Sequence, residues 1–206
     1  LHEVAIDMPA GPSEVAVVAD DTANPVFVAA DLLSQAEHGV DSQVILITNS
    51  EALAERVNEE VDRQLALLPR KEIAEKSLEY SKLIIVKDMD EVLEMTNEYA
   101  PEHLILAIKD YTSFADRVVN AGSVFLGNYS CESAGDYASG TNHTLPTSGY
   151  AKAYSGVNLD SFCRKITFQE LTAEGIRSIG PAVERMAAAE QLDAHKNAMT
   201  VRLQSL

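Results

Sequence analysis

Histidine, carboxylate and amide side chains recur in this chain where they could share one polar site. Gln35 and His38 lie three residues apart in Ser34-Gln35-Ala36-Glu37-His38-Gly39, at the end of an apolar stretch that reads as a helix. That spacing sets them about 60° apart on a helical wheel, on one face and one turn apart, so both can touch one ligand. Glu102-His103 follow Pro101, which ends a helix. A neighbouring carboxylate and imidazole can divide proton transfers between them. Adjacent residues of a strand point to opposite faces, so both serve one site only where the backbone turns. Asp136 offers a hard oxygen donor among the small residues of Cys131-Glu132-Ser133-Ala134-Gly135-Asp136, which let backbone approach a ligand closely. His195 follows Glu190 by five residues in the last part of the chain.

Neutral imidazole binds metals and also moves protons near neutral pH. Gln35, His38, Asp136 and His195 together offer one amide, two imidazoles and one carboxylate. Plainer explanations stand beside that one. A last-turn His38 complements the negative end of a helix dipole without any ligand. Glu102 and His103 could form a surface ion pair, and glutamine is an uncommon zinc ligand.

The elements that must position these residues alternate between short β-branched runs and longer helical patterns, the rhythm of a parallel α/β sheet. Strands are expected at Val15 to Ala19, Val44 to Thr48, Leu83 to Val86, Leu104 to Ile108 and Ser123 to Leu126. Their nearly continuous apolar character predicts cover on both faces. The first helix is expected from Pro25 to His38, capped by Asn24 and closed by a left-handed Gly39, with Val26, Ala30 and Leu33 against the sheet. Gln35 and His38 then fall at a buried helix end. Further helices are expected at Ser50 to Leu68, Lys71 to Tyr80, Met89 to Tyr99 and Tyr111 to Asn120. From Gly127 to Asn158 glycine, serine, asparagine and tyrosine crowd together without periodicity, which predicts a long, ordered, site-forming loop. The remainder reads as helices at Thr172 to Ile179 and Ala182 to Leu192, broken at Gly180-Pro181, with a last helix through His195 to about Leu203. A Rossmann-like α/β domain over residues 1–157 and a small helical tail over 158–206 follow from this pattern.

Charge excludes some partners. With 32 acidic against 16 basic residues, the net charge is −16, which disfavours a nucleic-acid backbone or an anionic membrane. Two distant cysteines, Cys131 and Cys163, fit neither a disulfide framework nor a zinc ribbon. No run of about 18 apolar residues occurs, and residues 1–7 open in strand-like alternation without a basic, apolar leader, so a cytoplasmic setting is expected. The turn after the first strand, Ala19 to Asn24, holds no glycine and therefore no dinucleotide fingerprint.

Several longer motifs occur together: Ala10-Gly11-Pro12-Ser13-Glu14, Asp31-Leu32-Leu33-Ser34-Gln35-Ala36-Glu37-His38, Glu98-Tyr99-Ala100-Pro101-Glu102-His103-Leu104, Ser139-Gly140-Thr141-Asn142-His143-Thr144-Leu145-Pro146-Thr147 and Glu190-Gln191-Leu192-Asp193-Ala194-His195. In this order they resemble the second half of the histidinol dehydrogenase family. The resemblance implies oxidation of L-histidinol through the aldehyde to L-histidine, the last steps of histidine biosynthesis, with zinc (one per subunit) and NAD. Gln35, His38, Asp136 and His195 are the implied zinc ligands, and Glu102 and His103 the implied acid–base pair. Ser13, Glu190 and His143 are implied substrate contacts, alongside Gln35, His38, His103, Asp136 and His195. It also implies that the NAD-binding domain lies outside this chain, and that the family's homodimer exchanges helical tails. A non-catalytic zinc-binding or assembly fragment, and a zinc hydrolase using Glu102 as base, are the alternatives.

Overall fold

Five strands, β1 (Glu14–Ala19), β2 (Gln43–Thr48), β3 (Lys82–Ile85), β4 (His103–Ala107) and β5 (Ser123–Leu126), form one parallel sheet of order β3-β2-β1-β4-β5. They belong to a computed structural model that describes residues 8–206, so the alternation read in residues 1–7 lies outside it. The Rossmann-like α/β expectation is met. Side chains of central β1 alternate between two cores, Val15, Val17 and Ala19 facing one and Ala16 and Val18 the other. Every residue of β1 is buried, which is why it reads as unbroken apolar sequence after Glu14. Cover on both faces fails at β3, where Leu83 is 40% and Ile85 48% exposed. That strand is a sheet edge, and the helices do not reach over it.

Helices α1 (Pro25–Ala36), α2 (Glu51–Leu65) and α3 (Lys71–Tyr80) supply Val28, Leu32, Leu53, Val57 and Ala74 to the first core. On the opposite face, α4 (Met89–Tyr99) and α5 (Tyr111–Ala115) supply Val92, Leu93 and Phe114. The Asn24 side chain accepts from the Val26 amide at 3.0 Å, with Pro25 in the first turn, as expected. The other end of α1 differs from expectation. It stops at Ala36 with right-handed Glu37 after it, and Gly39 has no positive φ. The buried stripe is Val28, Ala29, Leu32, Leu33 and Ala36, whereas Val26 and Ala30 are exposed. This first turn is apolar all round, so the wheel alone could not select the inward face.

Helix α5 was expected to reach Asn120 but ends at Ala115. The Asn97 amide takes over two backbone groups there, donating to Arg117 O at 3.1 Å and accepting from Val119 N at 2.9 Å. The aperiodic stretch after β5 contains a short helix, α6 (Glu132–Tyr137), and a 3-10 turn at Tyr150–Lys152. Gly135 lets α6 lie directly on β5, since a Cβ there would stand 2.5 Å from Phe125 Cε1.

The described chain divides into two compact units, the first ending at Phe162 and the second spanning Cys163–Leu206. Helices α7 (Ala173–Ala189) and α8 (Asp193–Gln204) pack together in the second. The break expected at Gly180-Pro181 does not occur, and α7 runs through Pro181. Proline removes one helical donor there, but Gly180 admits Leu203 of α8 so closely that a Cβ would meet its Cδ1 at 2.8 Å. That helix–helix contact holds the turn in place.

Candidate metal and proton-transfer site

The polar side chains of the first unit gather at the amino ends of the strands. Glu14 opens β1 and His103 opens β4, paired one residue out of step in the parallel ladder. Helix α1 runs back against the sheet, so its last turn delivers Gln35, and the residues just beyond it His38, to the same edge. Open α/β sheets more often bind ligands beyond the carboxyl ends of their strands, where the β1–α1 turn lies. The site and the missing glycine fingerprint are thus at opposite ends of the sheet.

Glu102 and His103 are brought together by the end of α4. Ala100 takes a left-handed conformation (φ 54°) before Pro101, which disfavours a helical predecessor, and the chain then enters β4. This turn lets Glu102 and His103 share one site, and both are buried, at 4% and 3% exposure. Glu102 Oε2 lies 3.6 Å from His103 Nδ1. A surface ion pair is therefore ruled out. The Glu14 amide donates to Glu102 Oε2 at 2.9 Å, and the Glu102 amide donates back to Glu14 Oε1 at 3.3 Å. Glu14 Oε1 also accepts from the Ser148 amide at 3.0 Å, and Tyr99 Oη donates to Gln43 Oε1 at 2.9 Å.

His103 Nδ1 lies 3.2 Å from the Glu14 carbonyl oxygen, which can only accept. Nδ1 therefore carries the proton, and Nε2 carries the lone pair. Nε2 is buried and, among the described residues, has no hydrogen-bond partner, with Asp136 Oδ1 at 3.9 Å. Burial holds the imidazole below its ordinary pKa, against the pull of the Glu14 carbonyl and the Asp136 charge. The ring rests on Phe125, with centroids 6.1 Å apart.

Gln35 is wholly buried, whereas His38 is exposed, so only one of them lies at a buried helix end as expected. In the amide orientation that satisfies both neighbours, Gln35 donates to Glu132 Oε1 at 2.8 Å and Oε2 at 3.2 Å, and its oxygen accepts from His38 Nδ1 at 3.1 Å. His38, Glu132 and Asp136 each bring one ligand atom within 4.8 Å of the others. Four carboxyl groups, Glu14, Glu102, Glu132 and Asp136, thus crowd one edge. Desolvation, with the Glu14 and Asp136 charges, raises Glu102 to about 7. Desolvation, with Asp136, Glu102 and Asp31, raises Glu132 to about 9. Such crowding is what a bound cation relieves, and imidazole with carboxylate and carbonyl oxygen is a donor set that zinc accepts.

The first unit thus assembles Gln35, His38, Glu102, His103 and Asp136. Ser13 is half-buried beside Glu14, its carbonyl accepting from the Gln43 amide at 3.2 Å. His143 is exposed, near enough for its charge to bear on His103. Glu190 caps the end of α7, and His195 lies in the first turn of α8, both exposed in the second unit. Sequence reasoning assigned no role to Glu14 or Glu132. A charged residue opening an otherwise apolar strand signals the first, and the one-turn spacing of Glu132 and Asp136 signals the second.

The histidinol dehydrogenase family model matches residues 1–203. A histidinol dehydrogenase of Bacteroides thetaiotaomicron is 74% identical over all of this chain, which covers 48% of that relative. One from Yersinia pestis is 55% identical over 100% of the chain and 46% of the relative. The crystal structure of the enzyme from Elizabethkingia anophelis matches with a TM-score of 0.96 and 62% identity, across 98% of this chain and 47% of that one. The chain spans about half the length of the curated relatives it matches. On sequence and fold together, it belongs to the histidinol dehydrogenase family.

Proposed function

We propose that this chain contributes the zinc-binding and proton-transfer half of a histidinol dehydrogenase, which oxidises L-histidinol through L-histidinaldehyde to L-histidine. The observation that carries this reading is His103 Nε2, a buried basic nitrogen without a hydrogen-bond partner among the described residues, beside Glu102 and Asp136. Gln35, His38 and Asp136 are the zinc-binding groups in this reading, with His195 supplied from a helical tail, in a homodimer, as the fourth. A zinc ion held by these groups would supply a positive charge that polarises and orients the substrate.

His103 Nε2 accepts the alcohol proton as the C–H hydride leaves, giving the aldehyde. Glu102 then takes a proton from water, whose oxygen adds to the aldehyde carbon to form the hydrate. Loss of a second hydride and the remaining protons leaves the carboxylate of histidine. NAD would supply the hydride acceptor, and the β1–α1 turn of this chain offers it no glycine cradle. Ser13, His143 and Glu190 are proposed to line the substrate. The setting proposed is the cytoplasm, and among the described residues no helix is long and apolar enough to cross a membrane.

The test sets this segment in place of the matching half of a full-length histidinol dehydrogenase and follows NADH at about 340 nm. Two NADH formed per L-histidinol is the expected result. A folded, zinc-loaded hybrid that makes none overturns the proposal.

A further inference from the structure

We propose that Glu132 is the positioning residue of the metal site: it receives the Gln35 amide N–H and so turns the Gln35 carbonyl oxygen toward His38, without itself binding the ion. This rests on the zinc reading above. A buried glutamine amide has chemically distinct ends, since its nitrogen needs an acceptor and its oxygen a donor. Gln35 is fully enclosed, so water cannot choose between them. Glu132 places both carboxyl oxygens within 3.2 Å of the amide nitrogen, while His38 Nδ1 meets the amide oxygen at 3.1 Å. Reversing the amide sets its oxygen against the Glu132 carboxyl group and leaves its nitrogen only His38 Nδ1, at 3.1 Å, in place of two carboxyl oxygens.

Burial separates the two carboxyl groups of α6. Glu132 is 2% exposed, as enclosed as the amide it contacts, whereas the Asp136 side chain, one turn on, is 18% exposed, and His38, within 4.8 Å of it, is exposed too. Asp136 and His38 thus face an incoming ion, and Glu132 stands behind Gln35. Groups in this supporting position fix the orientation of a ligand, and losing them typically weakens metal binding about 10- to 100-fold.

The test compares Glu132→Gln with Glu132→Leu in the metal-free chain, reading zinc affinity by chelator competition and the visible absorption of bound Co2+. Glutamine keeps an oxygen that accepts the Gln35 N–H, so affinity is expected within about threefold of the unsubstituted chain, with an unchanged Co2+ spectrum. Leucine removes the acceptor. Affinity is then expected to fall by about 10- to 100-fold and the Co2+ bands to shift, with helical circular dichroism retained. If leucine disrupts folding, Glu132→Met, similar in length and also without an acceptor, carries the same expectation. Loss in Glu132→Gln as large as in Glu132→Leu makes Glu132 a ligand and overturns the proposal. Unchanged affinity in folded Glu132→Leu or Glu132→Met overturns it as well. A parallel His38→Ala chain tests the site itself, because undiminished affinity there removes the zinc reading whatever Glu132 does.

Discussion

Replacing His103 with asparagine in a histidinol dehydrogenase carrying this segment is expected to lower histidinol-dependent NADH formation by roughly 10²- to 10⁴-fold, the usual contribution of a positioned base. Asparagine can still donate an amide N–H toward the Glu14 carbonyl, the contact His103 Nδ1 makes at 3.2 Å. It has no basic nitrogen at the position of Nε2, the buried atom that lacks a partner among the described residues. Folding and zinc content should therefore survive, and the loss should appear in kcat. Activity within about threefold of the parent would remove His103 from the reaction.

Glu102→Gln is expected to separate the two oxidations. The first needs only His103 as base, so one NADH per histidinol should form. The second needs a base to activate water, and glutamine provides none. Histidinaldehyde should then accumulate, detectable by trapping with semicarbazide, while histidine formation falls by roughly 10²-fold or more. The unsubstituted enzyme should show the corresponding pH dependence. Glu102 acts ionised, and desolvation raises its carboxyl group to about 7. Below that pH the second oxidation should lose about tenfold per unit, and above it the rate should level off. Burial holds His103 below its ordinary pKa, so a limb from His103 falls on the acid side of the one from Glu102. Full histidine production by Glu102→Gln, or a flat profile between pH 5 and 8, would show that water is activated elsewhere.

The parts of this fold legible in sequence were those whose burial is set by local pattern. Central β1 announces itself because both its faces are covered, and Asn24-Pro25 mark a helix start through their own chemistry. Gln35 and His38 are one turn apart by spacing alone. What sequence left open was decided by partners distant along the chain. Leu83 and Ile85 look like any core strand until β3 is found at the sheet edge. Pro181 reads as a break until Leu203 packs against Gly180. The α6 helix is too short for periodicity, and it depends on Gly135 lying against Phe125. Glu14 and Glu132 were the costliest omissions, because acidic residues are ordinarily solvated and only the assembled site reveals them as enclosed.

The zinc content of the purified chain is the most direct measurement. After loosely held metal is stripped, one tightly bound zinc per chain is expected, falling below about one tenth of that in both His38→Ala and Asp136→Ala while circular dichroism stays unchanged. Full zinc retention in both variants would contradict a metal centre built from the last turn of α1 and from α6.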